Sequence, residues 1–220
     1  MAKMSDMQRK RVGVLISGRG SNMASLIKAA KLPTAAYEVV SVISSKPDAV
    51  GLKTAADQGI AAVALDHKAL GSREALDAAV HNALIAHKCD LVACAGFMRI
   101  MTAEFIAKWQ GRMINIHPSL LPLFKGVDTH ERALEAGVRV HGCSVHFVSA
   151  ELDAGAIIAQ GVVKVLPGDN ADALAARVLQ VEHKLYPAVL QTLAQGRISL
   201  HDGRTRYVDD DAASLSVLSA

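Results

Sequence analysis

Short apolar runs alternate with stretches of helical period through the first half of the chain. RVGVLIS, residues 11–17, is β-branched and continuous rather than alternating, the pattern of a strand buried on both faces. GRGSN ends it, and residues 21–30 then space their apolar positions as a helix does. YEVVSVIS predicts a second strand and AVGLKTAADQG a second helix closed by Gly59. AAVALD, residues 72–87 and DLVACAG continue as strand, amphipathic helix and strand. Strands alternating with helices of this length predict parallel pairing through right-handed crossovers. The expected fold is therefore α/β, an open, mostly parallel twisted sheet with helices on both faces.

The second half reads differently. HGCSVHFVS alternates, and AIIAQGVVKVLPG is a long β-rich run with Gly161 as a kink, so these two predict an antiparallel addition to the sheet. A long helix from about Ala171 to Gln195 comes next. The last segment, DGRTRYVDDDAASLSVLSA, has weak periodicity and an acidic run, and is expected to be partly mobile.

Composition narrows the class. With 220 residues, 51% of them hydrophobic, the chain can bury one substantial core. A net charge of +3, with its basic residues scattered, gives no extended nucleic-acid surface but leaves room for a local anion site. The three cysteines, Cys89, Cys94 and Cys143, form no Cys-x-x-Cys pair, so free thiols in a reducing compartment are expected rather than a disulfide scaffold or a zinc site. VGVLI is too short for a signal-peptide core, and no stretch approaches the roughly 18 apolar residues of a membrane span. A soluble, cytoplasmic protein is expected.

Three polar elements interrupt the apolar pattern. SGRGSN follows a strand and opens a helix, so Gly18 and Gly20 allow close backbone approach and the helix start offers free amides to an anion. It lacks the third glycine of a dinucleotide fingerprint and the Gly-Lys-Ser/Thr of a P-loop. A monophosphate suits it better than a dinucleotide, although a plain tight turn would look the same. INIHPSLLP places Asn115 and His117 two residues apart on a strand, hence on one face, with Pro118 and Pro122 constraining the turn just beyond the pair. A polar pair satisfied by nearby backbone is the alternative. SAELDAG sets Asp153 in a turn after a strand carrying His146. That carboxylate either bonds its own turn or returns to His117 and favours the charged imidazolium. His130, His141 and His146 show no metal-ligand spacing and are expected to be structural.

Taken in order, LISGRGSN, AGFMRI, INIHPSLLP with FKG, HGCSVHFV, ELDAG and EHKLYP resemble the glycinamide ribonucleotide formyltransferases from about Val12 to Leu200. The resemblance implies a Rossmann-like formyltransferase fold that carries a formyl group from 10-formyltetrahydrofolate to the amine of glycinamide ribonucleotide. By motif, Asn115, His117 and Asp153 fall on the catalytic positions, and Gly20, Ser21, Asn22 and Glu182 on the ribonucleotide site. Arg73, Met98, Arg99, Ile100, Met101, Asn115, Ser149 and Asp153 fall on the folate site. No metal is implied.

The resemblance also implies a loose extension at residues 1–10, a single domain at 11–200 and a tail at 201–220. The domain would have a phosphate-binding half to about residue 110 and a folate and catalytic half beyond it. Small-molecule partners, no nucleic acid, no membrane, and a monomer or homodimer are expected. Arg19 replaces an Asn common in the glycine turn, while Leu123 and Leu179 stand where polar residues often occur, so neither leucine is assigned to the site. A formyltetrahydrofolate hydrolase shares the Asn, His and Asp set, but typically has an N-terminal regulatory domain, for which the residues before Arg11 leave no room, and a His in place of Pro118. A methionyl-tRNA formyltransferase normally adds an RNA-binding domain and lacks SGRGSN. A non-catalytic nucleotide-binding module of the same fold is the remaining alternative.

Overall fold

Strand β1, Lys10–Ile16, runs through the centre of the sheet because its last five residues are apolar or glycine and fully covered. The computed structural model describes residues 8–214 and 217–219. After β1 come α1 (Ser21–Ala30), β2 (Tyr37–Ser44), α2 (Val50–Ala56), β3 (Ala61–Ala64), α3 (His67–Leu70), α4 (Arg73–Ala86), β4 (Leu91–Cys94), α5 (Ala103–Lys108) and β5 (Met113–His117). The second half holds α6 (Thr129–Glu135), β6 (Val140–Phe147), β7 (Ile157–Lys164), α7 (Ala171–Ala194), β8 (Ile198–His201), β9 (Arg204–Tyr207), α8 (Asp210–Ser214) and β10 (Val217–Ser219).

Eight strands form one sheet in the order β10-β7-β6-β5-β4-β1-β2-β3. The five strands from β3 to β5 are parallel, β6 runs antiparallel to both β5 and β7, and β10 joins β7 in parallel. From β1 the chain works outward through β2 and β3, then returns to β4 on the other side of β1. That reversal is the switch point beside which ligands bind in open α/β sheets, at the carboxyl ends of the strands.

Alternation along β1 divides the core between two layers. Val12, Val14 and Ile16 pack with Met23 and Leu26 of α1 and with Leu174, Val178 and Leu185 of α7. Leu15 faces the other way, into Leu76, Val80 and Leu84 of α4 and Phe105 and Trp109 beside α5. Helix starts follow side-chain capping: Ser72, Thr102 and Asn170 each accept a first-turn amide of α4, α5 and α7.

Fully buried Tyr186 of α7 ties that helix to the strand ends, its hydroxyl lying 2.9 Å from the Cys94 carbonyl and 3.2 Å from that of Ile114. Burial raises its phenol well above the ordinary range, so it stays a neutral donor. Tyr186→Phe should cost about 1–3 kcal/mol, since both carbonyls lose that partner in a dry site. Chemical denaturation checks this, with an unchanged midpoint as the contrary result.

Described segments near both ends of the chain pair into the fold. Lys10 is already in β1, and the Arg9 guanidinium donates to the carbonyls of Ala30 and Leu32, so the expected loose extension cannot include these residues. Residues 1–7 lie outside the described residues. After α7 the chain turns at Asp202 and Gly203, both with positive φ, to close the β8–β9 hairpin. Thr205 and Tyr207 then donate from it to the carbonyls of Ile157 and Ile158 on β7.

Candidate active site

Asn115 and His117 leave β5 on the same face, and antiparallel pairing sets Asn115 opposite His146 and His117 opposite Ser144. The Asn115 Nδ2 lies 3.1 Å from His146 Nε2, while His146 Nδ1 lies 2.9 Å from the Phe147 carbonyl. A carbonyl only accepts, so Nδ1 carries the hydrogen and Nε2 receives one from the amide. Burial is the main cause holding the His146 pKa below its ordinary value, and the ring is accordingly neutral. His146 thus accepts a hydrogen bond from the Asn115 amide. Its signal was the alternation of HGCSVHFVS, but facing Asn115 required the register.

His117 is enclosed between two acceptors. Its Nε2 lies 3.0 Å from the Phe124 carbonyl and its Nδ1 lies 3.4 Å from Asp153 Oδ2. Each ring nitrogen thus faces an oxygen acceptor, and a ring carrying a hydrogen on both nitrogens would satisfy both. Side-chain exposure is only 7% for His117 and 8% for Asp153, so water screens the pair little. Asp153 stands in a positive-φ turn and its Oδ2 also accepts the Gly126 amide at 3.0 Å, which joins the β6–β7 loop to the loop after β5. Lys125 and Glu151 add an exposed ion pair between the same loops.

Behind His117, the rings of His130 and His141 meet edge to face at 5.3 Å. Burial pulls the His141 pKa down to about 4 and lowers that of His130. Among the described residues, no group of three His, Cys, Asp or Glu side chains is arranged to hold a metal ion.

The glycine turn lies across the switch point. Gly20 takes φ 73° and ψ 38°, a left-handed conformation that glycine adopts without strain, and no side chain caps α1. The first amides of α1 are thus left to an outside acceptor, with Ser21 and Asn22 beside them. Asn22 Nδ2 donates at 2.7 Å to Glu182 Oε2 on α7, across 160 residues of sequence. Glu182 is 5% exposed; burial raises its carboxyl pKa and the Asn22 bond partly opposes this. Two of the expected ribonucleotide residues are thereby brought into direct contact.

The folate-position residues separate into those lining a cavity and those outside it. Arg99, Ile100, Met101, Asn115, Ser149 and Asp153 line one cavity of about 100 Å³, whose apolar walls include Phe97, Val148 and Leu152. Met98 points away, 63% exposed. Arg73 is exposed at the start of α4 and does not line the cavity. It sits one helical turn from Asp77, whose carboxylate accepts the Thr102 amide at 2.7 Å and anchors the end of the 97–102 loop. A larger cleft of about 550 Å³ lies beyond Val148 and Ala150, but its lining includes none of Asn115, His117 and Asp153. The smaller cavity gathers the Asn115 amide, the His146 ring and the Asp153 carboxylate beside apolar walls, and the same carboxylate meets His117. Such a set can stabilise charge developing on oxygen and move a proton.

A family model described as formyl transferase matches residues 10–190. Phosphoribosylglycinamide formyltransferase of Escherichia coli (strain K12) is 46% identical over 189 residues, which cover 86% of this chain and 89% of that protein. The trifunctional purine biosynthetic protein adenosine-3 of Bos taurus is 45% identical over 205 residues, 93% of this chain, and the chain spans 20% of that protein's length. A crystal structure of phosphoribosylglycinamide formyltransferase from Anaplasma phagocytophilum aligns with a TM-score of 0.88 at 41% identity, covering 96% of this chain and 98% of that one.

Proposed function

The chain belongs to the formyl transferase family, and we propose that it moves the formyl group of 10-formyltetrahydrofolate to the amine of glycinamide ribonucleotide. The products are formylglycinamide ribonucleotide and tetrahydrofolate, in purine synthesis. The observation that carries this reading is the buried contact between His117 and Asp153 at the cavity that Asn115 also lines. Residues 11–200 act as one domain on small molecules, in the cytoplasm, as a monomer or homodimer. No described helix is long and apolar enough to cross a membrane.

Both substrates fit the residues present. Apolar walls from Phe97, Ile100, Met101 and Val148 suit a flat heteroaromatic ring system, and Arg99, also in the lining, suits an anionic tail. Arg73 and Met98 would meet the outer part of the folate. The free amides of α1 at Gly20, Ser21 and Asn22 suit a phosphate monoester, and Glu182 accepts hydrogen bonds from the ribonucleotide.

Attack of the amine on the formyl carbon creates a tetrahedral centre with negative charge on oxygen. Of the two Asn115 amide hydrogens, one is given to His146 and the other is free for that oxygen. A donor placed in this way is worth about 3 kcal/mol of barrier. Protonated His117 stabilises the same charge and supplies a proton toward the departing folate nitrogen, while Asp153 fixes the ring and keeps it charged. The proton shed by the amine returns to His117, which has given its own to the folate nitrogen, and these steps call for neither a metal nor a covalent enzyme adduct.

Hydrolysis, with water as acceptor, would leave the phosphate turn and Glu182 without a role. Incubation with 10-formyltetrahydrofolate, with and without glycinamide ribonucleotide, separates the two. Release of tetrahydrofolate should depend on the ribonucleotide and match the formylglycinamide ribonucleotide formed. Equal release without it would mean a hydrolase, and no release in either case a non-catalytic module.

A further inference from the structure

One hydroxyl ties together three strand ends at the switch point. Ser17, the residue after β1, is 6% exposed, and its Oγ accepts the Met98 backbone amide at 2.9 Å. The same oxygen lies 2.8 Å from Oγ of fully buried Ser45, the residue after β2. A hydroxyl accepts and donates at once, so Ser17 can hold Met98 while sharing a hydrogen with Ser45.

The two loops so joined serve different ligands. After Ser17 the chain enters the Gly18–Asn22 turn at the start of α1, whereas Met98 sits in the loop after β4 that supplies Arg99, Ile100 and Met101 to the cavity wall. The Met98 side chain is 63% exposed and the neighbouring Arg99 amide bonds only locally, to the Phe97 carbonyl at 2.9 Å. The middle of the loop therefore depends on Ser17 for its attachment to the sheet. Among the described residues, no other side-chain hydrogen bond spans residues 17–22 and 96–102. Anything that fixes the glycine turn also fixes Ser17, its covalent neighbour, and through it the backbone of the cavity wall.

We infer that Ser17 is a positioning residue that couples the two substrate sites through the Met98 amide. Ribonucleotide in the glycine turn tightens the cavity for the folate, and by linkage the folate tightens the turn by the same factor. The inference rests on the proposed function, which supplies the two ligands.

Calorimetric titration with tetrahydrofolate tests it, because this product carries no formyl group and glycinamide ribonucleotide can be added without reaction. In the unsubstituted protein, saturating ribonucleotide should lower the Kd for tetrahydrofolate by about fivefold or more. Ser17→Ala removes the acceptor, and the two Kd values should then agree within about twofold. Ser45→Ala leaves the Ser17 oxygen on the Met98 amide and should keep the coupling. Should Ser17→Ala fail to fold, Ser17→Cys carries the test: sulfur is a weak acceptor and should give an intermediate factor. Equal Kd values with and without ribonucleotide in the unsubstituted protein overturn the inference. So does coupling that survives Ser17→Ala, or that is lost equally in Ser45→Ala. Failure to bind either ligand would instead refute the proposed function, which keeps the two outcomes apart.

Discussion

His117→Ala is expected to lower kcat by about 10²- to 10⁴-fold, the range for a positioned acid or base, while the KM for the ribonucleotide changes little. The ring is held by the Phe124 carbonyl on one side and the Asp153 carboxylate on the other, and its side chain is only 7% exposed. The ribonucleotide turn and Glu182 belong to α1 and α7 and do not touch the ring. Asp153→Asn keeps the shape of the side chain and its bond to the Gly126 amide but removes the charge facing Nδ1. It should lower kcat by roughly 10²-fold or more. Steady-state kinetics on both purified variants decides the matter: turnover equal to the unsubstituted enzyme in either one removes that residue from the mechanism.

Gly142→Ala should be strongly destabilising. In β6, a Cβ on Gly142 would stand 1.8 Å from the backbone oxygen of Gly161 on the neighbouring strand and 3.0 Å from Leu120. Backbone cannot rotate away as a side chain can, so β6 and β7 must separate locally. The expected cost is about 3 kcal/mol or more, at the upper end for overpacking. For a chain of this size that corresponds to a fall in Tm of roughly 10 °C. Because β6 also carries Ser144 and His146 opposite the catalytic strand, activity should fall even where the protein stays folded. A thermal scan with unchanged Tm would show that the strands accommodate the methyl, contrary to this geometry.

How far the site could be read without coordinates differs from residue to residue. Asn115 and His117 were legible because strand period alone puts positions i and i+2 on one face. The glycine turn was legible because a strand, two glycines and a helix start leave free amides in any α/β unit. The contact between Asp153 and His117 was only one of two options, since a turn aspartate beside glycine commonly bonds its own backbone. Five residues of chain lie between Phe147 and Asp153, and their path decides which option holds. Resemblance to a family supplied Glu182, but only the packing of α7 against α1 brings it to Asn22. The same resemblance grouped Arg73 and Met98 with the folate residues, and the structure sets both outside the cavity wall. Helices α3 and α5 escaped the apolar pattern because four to six residues make fewer than two turns, too few for a period to emerge.

The sequence by itself determined the alternation of strands and helices, the parallel first half, the antiparallel addition and the shared face of Asn115 and His117. These arise from local periodicity, where each residue's direction is set by its near neighbours. Only the tertiary structure decided that His146 faces Asn115, that Asp153 closes on His117 and that Ser17 holds Met98. Pairing register and loop path depend on contacts between segments tens of residues apart, and a period of two fixes a side chain's face without naming the partner it will meet.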